Sequence, residues 1–220
     1  MVRKIALICA YNEEKRIKSV VNKTFRYVDA VLVVNDGSKD NTLREVKKTK
    51  AVILSHKTNK GKGEALKTGF RYIKNKPYDI IVLLDADGQH DPADIPKLLK
   101  ELDKGYDIVI GTRRKRGTKM PLIRRFTNFT TSLIISSIVG QKIKDSQSGF
   151  RVLRSKVIRA VDLVSKKYEV ESELLVKASR KNYKIGSAPI KTIYGKEVSA
   201  ISPLKDTYRF VRLIFRSFGW

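Results

Sequence analysis

Carboxylate and amide side chains cluster at three places in this chain, and each cluster directly follows an apolar run. The clusters are Ala10–Glu13, Val34–Ser38 and Asp85–His90. Apolar runs that alternate with helical patterns indicate parallel strands, and ligands of an open α/β sheet bind beyond the carboxyl ends of such strands. We therefore expect the clusters to meet at one site. That site would contain at least four carboxylates, those of Glu13, Asp36, Asp85 and Asp87.

The third cluster has the character of a metal site. Asp85 and Asp87 stand two residues apart, and their charges repel unless a cation or hydrogen bonds hold them. Mg²⁺ and Mn²⁺ prefer oxygen ligands and commonly bridge a protein carboxylate to a substrate phosphate. Asp87, with Gln89 beside it, is therefore the best candidate ligand. The alternative role, capping the next helix, fits Asp91 better because Pro92 can open that helix.

The first two clusters suit a nucleotide. The ring of Tyr11 could stack on a nucleobase, and Asn12 and Glu13 could bond to base or ribose. Each cluster is ordinary by itself, but their occurrence at successive strand ends is specific. The two histidines have no evident partner in the sequence: we expect His56 to be a surface residue and assign His90 no catalytic role.

The alternation of strand-like and helical segments predicts an α/β fold with a mostly parallel central sheet flanked by helices. The strand-like runs are Lys4–Cys9, Ala30–Asn35, Ala51–Ser55, Ile80–Asp85 and Asp107–Gly111. The first four helices are expected near Glu14–Thr24, Asn41–Lys48, Gly63–Lys74 and Pro92–Leu102. Further on we expect a long helix at Met120–Val139, a polar turn at Asp145–Arg151 before a short strand, helices near Lys156–Val164 and Glu171–Lys181, and an extended stretch at Lys184–Tyr194.

Size and composition fit one domain with a hydrophobic core. The chain has 220 residues, of which 41% are hydrophobic, and its single cysteine excludes a disulfide scaffold. No apolar run approaches the ~20 residues of a membrane span, and no signal peptide is visible at the start. We therefore expect a cytoplasmic protein, peripheral at the inner face of the cell membrane. The main domain is assigned to residues 1–200, and residues 201–220 to a C-terminal helix.

The C-terminal segment Pro203–Phe218 is predicted to be an amphipathic helix. A basic, aromatic-rich helix of this kind suits the surface of an anionic membrane. Packing of the helix on the core, or in a homodimer, are the alternatives. The apolar face comprises Leu204, Tyr208, Phe210, Val211, Ile214, Phe215 and Phe218. The basic face comprises Lys205, Arg209, Arg212 and Arg216, with Leu213 as its one apolar member.

The formal net charge of +25 points to an anionic partner. Seven Arg or Lys residues and no acid lie between Gly111 and Arg125. Nucleic acid, an anionic membrane face and a phosphorylated substrate could each use this charge. A nucleic-acid-binding protein is disfavoured, because no nucleic-acid-binding motif is visible and carboxylates at the strand ends would repel a phosphate backbone.

Four motifs together resemble those of the inverting family-2 glycosyltransferases of GT-A (Rossmann-like) fold. They are Ala-Tyr-Asn-Glu-Glu at 10–14, Asn-Asp-Gly-Ser at 35–38, Asp-Ala-Asp-Gly-Gln-His at 85–90 and Asp-Ser-Gln-Ser-Gly-Phe-Arg at 145–151. Within that family the chain looks most like the polyprenol-phosphate sugar synthases, and the resemblance runs from Lys4 to about Leu204. Asn128 departs from the pattern where serine is common, as does Ala200 where lysine is common.

The resemblance implies a role for each matching position. Nucleotide-sugar binding falls to Tyr11, Asn12, Glu13, Asp36, Asp85 and Ala86. Metal binding falls to Asp87 and Gln89. The acceptor phosphate would be bound by Arg113, Arg124 and Asn128, and the residues counted as catalytic are Asp87, Arg113 and Arg124. The acceptor and donor-sugar side would be lined by Asp145, Ser148, Arg151, Glu169 and Glu171. A mobile loop, Lys191–Ser199, would cover the diphosphate.

The implied activity explains why acidic and basic groups occur together. A lipid phosphate is already an anion, so it needs charge neutralisation rather than a general base. Arginine side chains bind phosphate oxygens in bidentate fashion, and Arg113, Arg114, Arg124 and Arg125 could do so. The expected function is metal-dependent transfer of a hexose from a nucleotide-sugar, GDP-mannose or a UDP-sugar, to a polyprenyl (dolichyl) phosphate.

Two other enzyme classes are alternatives to this function. A glycosyltransferase with a carbohydrate or protein hydroxyl acceptor would need a base, and Asp145 or a carboxylate at 169–173 would supply it. A sugar nucleotidyltransferase usually has a glycine-rich loop after its first strand, and Ala10–Lys15 contains no glycine.

Overall fold

The computed structural model describes residues 1–113, 122–191, 193, 203–217 and 219–220, with the backbone alone at 122–126 and 203–206. This described part contains one seven-stranded sheet with helices on both faces. The strands are β1 (Lys4–Ala10), β2 (Ala30–Asn35), β3 (Val52–Ser55), β4 (Ile80–Asp85), β5 (Ile108–Arg113), β6 (Arg151–Arg154) and β7 (Ile185–Ile190). The helices are α1 (Ile17–Thr24), α2 (Thr42–Lys47), α3 (Lys62–Lys74), α4 (Ile95–Leu102), α5 (Leu122–Val139), α6 (Ser155–Ala160), α7 (Val170–Arg180) and α8 (Pro203–Ser217).

The sheet is mostly parallel, as predicted, with the order β3-β2-β1-β4-β6-β5-β7. Only β6 is antiparallel to its neighbours, so β4 and β5 on either side of it run in the same direction. The chain moves outward from β1 to β3 and then returns to place β4 on the other side of β1. This reversal between β1 and β4 is the topological switch point at which α/β sheets form a ligand crevice.

Strand alternation divides the core into two layers. Ile5 and Leu7 of β1 face one layer, together with buried side chains of α3, α5, α6 and α7. Ala6 and Ile8 face the other layer, with buried side chains of α1, α2 and α4. Burial on both faces explains why the central strands are continuous apolar runs rather than alternating ones.

Three helices begin or end three or more residues away from the sequence expectation. Helix α4 begins at Ile95 rather than Pro92, because Pro92–Asp94 forms a 3₁₀ turn. Helix α1 begins at Ile17 rather than Glu14, after a turn in which Glu13 O accepts the amides of Arg16 and Ile17. Helix α6 ends at Ala160 rather than near Val164. The chain after it is extended because the Glu173 carboxylate accepts the amides of Val164 and Ser165.

Helix α8 packs on the core with a face that only partly matches the one expected from sequence. Leu213, assigned above to the basic face, is only 3% exposed, so that assignment was wrong. Phe210 and Ile214 pack beside it, whereas Phe215 is 72% exposed and Tyr208 67%. The physical reason is that only one narrow stripe of a helix can contact α7, and in α8 this stripe consists of residues 210, 213, 214 and 217.

The described helices include none that is both long enough and apolar enough to cross a bilayer.

Candidate active site

The predicted clusters lie at one edge of the sheet. Ala10 pairs with Asn35 on β2, and Cys9 pairs with Asp85 on β4, so the polar residues that follow these strands start from the same level. Burial raises the pKa of the Cys9 thiol to about 12, and the negative charges of Asp85, Asp36 and Glu171 act in the same direction. These carboxylates therefore surround the end of β1.

A buried lysine joins two of the candidate carboxylates. The Nζ atom of Lys62, at the start of α3, lies 2.5 Å from Asp85 Oδ1 and 2.6 Å from Glu171 Oε1. Burial lowers the pKa of Lys62, but the charges of Asp85 and Glu171 outweigh it and hold the pKa above its usual range. Burial raises the pKa of Asp85, but the positive charge of Lys62 outweighs this effect, and the pKa lies below its usual range. Asp85 is thus a carboxylate with a fixed positive partner.

Gly149 makes room for this arrangement. A Cβ atom at position 149 would lie 2.4 Å from Asp85 Oδ2 and 2.8 Å from Lys62 Nζ. On the other side of Asp85, the buried ring of His90 stacks at a tilt on Phe150, with Nδ1 4.0 Å from Asp85 Oδ2. Burial lowers the pKa of His90 to about 4, and the charges of Arg113 and Lys62 add to the effect, so His90 is neutral at physiological pH.

Asp87 and Gln89 occupy the turn after β4. The amide of Gln89 donates to Asp87 Oδ1 over 2.9 Å, which curls the turn back on itself. Asp91 caps the following 3₁₀ turn Pro92–Asp94, as expected, by accepting the amide of Ala93. The carbonyl of Gln89 accepts the amide of Ile193, so the segment after β7 passes directly over this turn.

The turn after β1 is tied to the turn after β2. Asn12, with φ of 55°, accepts the Lys39 amide at its side-chain oxygen and gives its own amide to Ser38 Oγ. The Glu13 amide donates to Thr42 Oγ1, while Tyr11 is exposed beside them. The cross-links give the Tyr11–Glu13 turn a defined shape, which a base-binding loop requires.

Asp36 and His56 form a buried pair, which the sequence reading missed. His56 Nδ1 lies 2.7 Å from Asp36 Oδ1, and both side chains are less than 10% exposed. The expectation that His56 is a surface residue was therefore wrong. Position 56 directly follows β3, so this side chain starts at the same sheet edge as the other clusters and is covered by the turn that leads into α3.

The acceptor-side candidates converge on Asp145. Arg113, at the end of β5, donates from Nε and one Nη to the two carboxylate oxygens over 2.8 and 2.9 Å. Burial raises the pKa of Asp145, but the hydrogen bonds and charge of Arg113 outweigh it, and a hydrogen bond from Asn128 lowers the pKa further. The structure thus brings Arg113, Asn128 and Asp145 together.

A cavity of about 700 Å³ opens beside Arg113. It lies along α5 and the turn that follows the helix. Phe129, Leu133 and Ile143 give it apolar walls, and Lys142 and Lys144 lie at the same turn. Phe129 and Leu133 are more than half exposed, which is unusual for large apolar side chains placed side by side on a helix.

Three other sequence candidates differ in their surroundings. Arg151 is 1% exposed and donates to the carbonyls of Ser146, Ser148 and Glu171, so it holds the 145–151 turn against α7. The buried Oγ of Ser148 and Oε2 of Glu169 have no hydrogen-bond partner among the described residues. Buried polar atoms of this kind normally have a partner, so a ligand is a natural one for them.

Several candidates fall outside the described residues. Arg114, the side chains of Arg124 and Arg125, and most of the Lys191–Ser199 loop belong to this group. Their roles stay predictions.

Lys62 is the functional candidate that the sequence analysis did not identify. A signal was present: Gly61–Lys62–Gly63 is a glycine-flanked cation at the start of a helix, directly after a strand end. Ligands bind beyond the carboxyl ends of parallel strands, and this principle was applied to the ends of β1, β2 and β4. Applied to the end of β3 as well, it would also have indicated His56.

Comparison with known proteins gives the family of the chain. The family model "Glycosyl transferase family 2" matches residues 5–162. The chain is 36% identical over 212 residues to the UDP-N-acetylglucosamine–dolichyl-phosphate N-acetylglucosaminyltransferase of Methanococcus voltae, covering 86% of this chain and 84% of that protein. It is 33% identical over 205 residues to the undecaprenyl-phosphate mannosyltransferase of Micrococcus luteus, with coverage of 86% and 83%.

Among solved structures, glucosyl-3-phosphoglycerate synthase of Mycobacterium tuberculosis, in a complex with Mn²⁺, UDP-glucose and phosphoglyceric acid, superposes with a TM-score of 0.77. The match covers 99% of this chain and 80% of that one at 19% identity, so it confirms the GT-A fold alone. The strand-end carboxylates, the fold and the match over most of the chain agree: the chain belongs to glycosyl transferase family 2.

Proposed function

We propose that this enzyme transfers a sugar from a nucleotide-sugar to a polyprenyl phosphate at a membrane surface, with inversion at the sugar carbon. The observation that carries the acceptor class is the position of Arg113 at the end of the long cavity along α5. A guanidinium group beside an apolar cavity suits an amphiphile with an anionic head. The relatives named as dolichyl- and undecaprenyl-phosphate transferases support the same choice.

The charge pairing of the carboxylates supports an acceptor that needs no general base. Asp145 is bonded to Arg113, whose hydrogen bonds and charge hold its pKa below the usual range, and Glu171 is bonded to Lys62, so both carboxylates have a fixed cationic partner. A general base should instead have a pKa near the working pH. Glu173 is bonded to Lys177 and to two amides, and these bonds outweigh its burial and hold its pKa below the usual range. A phosphate acceptor, which is already ionised, is compatible with this arrangement.

A divalent cation fits the oxygen donors that follow β4. Mg²⁺ and Mn²⁺ are typically held by one or two carboxylates together with substrate phosphates, and not by a complete protein cage. The described residues contain no group of three or more His, Cys, Asp or Glu side chains arranged to hold a metal by themselves. Held by Asp87 and the Gln89 amide oxygen, the cation would neutralise the departing diphosphate.

The chain's own residues supply the remaining parts of the reaction. The Tyr11–Glu13 turn and Asp36 bind the nucleoside, with Asp85 and Ala86 below it. Lys62 neutralises Asp85, so that the diphosphate does not meet an uncompensated carboxylate. Arg113 orients the acceptor phosphate opposite the leaving group. The orphaned oxygens of Ser148 and Glu169 are suited to sugar hydroxyls.

Donor binding can be tested by thermal unfolding. We expect one class of nucleotide-sugar, added with Mn²⁺ or Mg²⁺, to raise the unfolding midpoint, because only a ligand of the native state stabilises it. The assay uses GDP-mannose, UDP-glucose and UDP-N-acetylglucosamine, each with and without the metal. A panel without any shift would contradict a nucleotide-sugar enzyme.

The acceptor is tested with the labelled donor that binds. Transfer to polyprenyl phosphate is expected, and transfer only to free glycans would establish the hydroxyl-acceptor alternative instead. Asp87→Ala should abolish transfer and the metal-dependent midpoint shift while the protein stays folded. Asp103→Ala, an exposed carboxylate at the end of α4, serves as the matched control and should keep both.

A further inference from the structure

A directed chain of hydrogen bonds crosses the third strand end. It runs from Arg71 Nη2 to Thr68 Oγ1 (3.1 Å), from Thr68 Oγ1 to His56 Nε2 (3.0 Å), and from His56 Nδ1 to Asp36 Oδ1 (2.7 Å). None of these contacts belongs to the roles assigned above.

The chemistry of the groups fixes the direction of donation. The Asp36 carboxylate only accepts, so His56 Nδ1 carries the proton. Arg71 only donates, so it donates to the Thr68 oxygen. With the imidazole protonated at Nδ1 alone, the Thr68 hydroxyl donates to Nε2 and every group in the chain has a partner, and this is the tautomer that we assign. Hydrogen bonds aligned in one direction polarise and strengthen one another.

Asp36 in turn holds the turn before α3. Its Oδ1 accepts the Lys60 amide over 2.9 Å and its Oδ2 accepts the Gly61 amide over 2.7 Å. The turn also lies directly on Gly37, where φ is +68° and a Cβ would stand 2.4 Å from the carbonyl carbon of Thr58. The position of this turn therefore depends on the orientation of one carboxylate.

The turn leads directly to the lysine of the donor site. Gly61 is followed by Lys62, whose ammonium group bridges Asp85 and Glu171. A continuous path of short bonds thus connects His56 to Asp36, Asp36 to Gly61, and the first residue of α3 to Asp85. The two carboxylates at its ends are those that the proposed function assigns to the nucleotide-sugar.

We propose that His56 is a positioning residue for the nucleotide-sugar. By donating to Asp36 it fixes the orientation of that carboxylate, and through the 58–61 turn it sets the place of Lys62 beside Asp85. His56 does not touch the reacting atoms. This inference rests on the proposed function, because the ligand whose binding it improves is the donor named there.

The expected kinetic effect is on donor binding. His56→Leu removes the bond to a charged acceptor, so the KM for the nucleotide-sugar should rise about tenfold while kcat changes much less. His56→Asn can place an amide N–H near the position of Nδ1, and it should restore most of the affinity. Thr68→Val removes the far end of the chain and should give an intermediate KM.

A matched control separates this role from general loss of packing. Thr24 is a buried helix threonine whose hydroxyl donates to the Val20 carbonyl, away from the site. Thr24→Val should leave the KM for the donor unchanged. A rise in KM equal to that of Thr68→Val would contradict the proposal, as would a His56→Leu enzyme that loses thermal stability but keeps the donor KM of the wild type.

Two measurements without ligand separate the failure of this inference from failure of the proposed function. In the wild type, ¹⁵N NMR of the imidazole should show the Nδ1-protonated tautomer, and His56→Leu should speed amide hydrogen exchange at Lys60 and Gly61 about tenfold. An Nε2-protonated tautomer or unchanged exchange overturns the hydrogen-bond chain. Faster exchange in a protein that binds no nucleotide-sugar overturns the proposed function and the positioning role, and leaves a purely structural tie.

Discussion

The side chains at the strand ends are organised as pairs of opposite charge. Asp85 and Glu171 share Lys62, and Asp145 receives two bonds from Arg113. A chain with an excess of 25 positive charges could leave such carboxylates to any nearby cation, yet each has one defined partner. Fixed pairs hold these carboxylates in defined positions and compensate their charge, so that an anionic substrate can approach them.

The Lys62 pairs can be tested by removing the ammonium group. Lys62→Met leaves Asp85 and Glu171 facing each other, and we expect a loss of about 3 kcal/mol in the free energy of unfolding. The value stands at the low end for a buried pair because Lys62 and Asp85 keep 17% and 24% exposure. Urea unfolding at pH 8 measures it.

Two further variants make this test specific. Lys67→Met, on the same helix, is the control. Lys67 is similarly exposed, but it pairs with a single carboxylate one turn away, Glu64 at 2.7 Å, so its loss should cost less than about 1 kcal/mol. Adding Glu171→Gln to Lys62→Met should recover part of the loss, because the uncompensated second carboxylate is gone. Equal losses for Lys62→Met and Lys67→Met would show that the bridging position is not special.

The Arg113–Asp145 pair predicts a pH dependence of stability. In the wild type the pKa of Asp145 is held below 3.8, so the contribution of the pair is complete above that value and is lost as the pH falls through the lower folded pKa. In Arg113→Gln, burial dominates instead and raises the pKa of Asp145. The variant should therefore lose about 3 kcal/mol at pH 7, and the difference from wild type should shrink toward pH 4.

Denaturant unfolding at several pH values measures this difference. Lys104→Gln, which breaks an exposed pair with Glu101, is the control and should give a small difference with little pH dependence. A difference for Arg113→Gln that is constant between pH 7 and pH 4 would contradict the charge argument.

At the scale of elements, helix α8 has one buried stripe of side chains and, next to it, an exposed apolar stripe. Leu213 and Ser217 are buried against the core, and Arg180 donates to the main-chain oxygens of Ser217 and Trp220. Tyr208, Val211 and Phe215 lie on the adjacent stripe and are exposed. The core therefore fixes the orientation of the helix, and it leaves a second apolar stripe for another surface, which we propose is the membrane.

The two stripes should respond differently to substitution. Leu213→Ala should lower the free energy of unfolding by about 2 to 4 kcal/mol, because it opens a cavity. Phe215→Ser should change it by less than about 0.5 kcal/mol and should instead reduce co-sedimentation with liposomes. Unfolding curves and sedimentation on the same two variants check both statements, and liposome binding unaffected by Phe215→Ser would count against a membrane role for the exposed stripe.

At the scale of the whole molecule, acidic and basic residues are concentrated in different parts of the sequence. The carboxylates collect where β1, β2 and β4 end, whereas much of the basic excess lies between Gly111 and Arg125 and on α8. We propose that the long-range field of this excess charge draws the protein to anionic membrane surfaces, and that contacts at the site then select the substrate.

The field predicts salt-dependent membrane binding. Vesicles with a substantial fraction of anionic lipid should bind the protein at low ionic strength and release most of it near 1 M salt, where the Debye length falls to about 3 Å. Neutral phosphatidylcholine vesicles are the control and should bind little. Binding to random duplex DNA that is as strong as binding to anionic vesicles at physiological salt would favour the nucleic-acid alternative.

The local sequence determined the elements and the family. Apolar β-branched runs that alternate with helical patterns indicate buried parallel strands. Because parallel strands end together, the sequence alone assigns Asp36, Asp85 and Asp87 to one edge of the sheet. The four motifs could identify glycosyl transferase family 2 because each of them is a short, contiguous stretch of sequence.

Only the tertiary structure decided which side chains pair. Lys62 meets Glu171 across 109 positions, His56 meets Asp36 under a turn, and Leu213 rather than Phe215 faces the core. These contacts depend on how α3, α7 and α8 stack on the sheet. Helical periodicity shows which residues share a face of a helix, but it does not show which face a neighbouring element covers. The number of charged residues does not show which charges pair. Both depend on distances between segments that are remote in the chain.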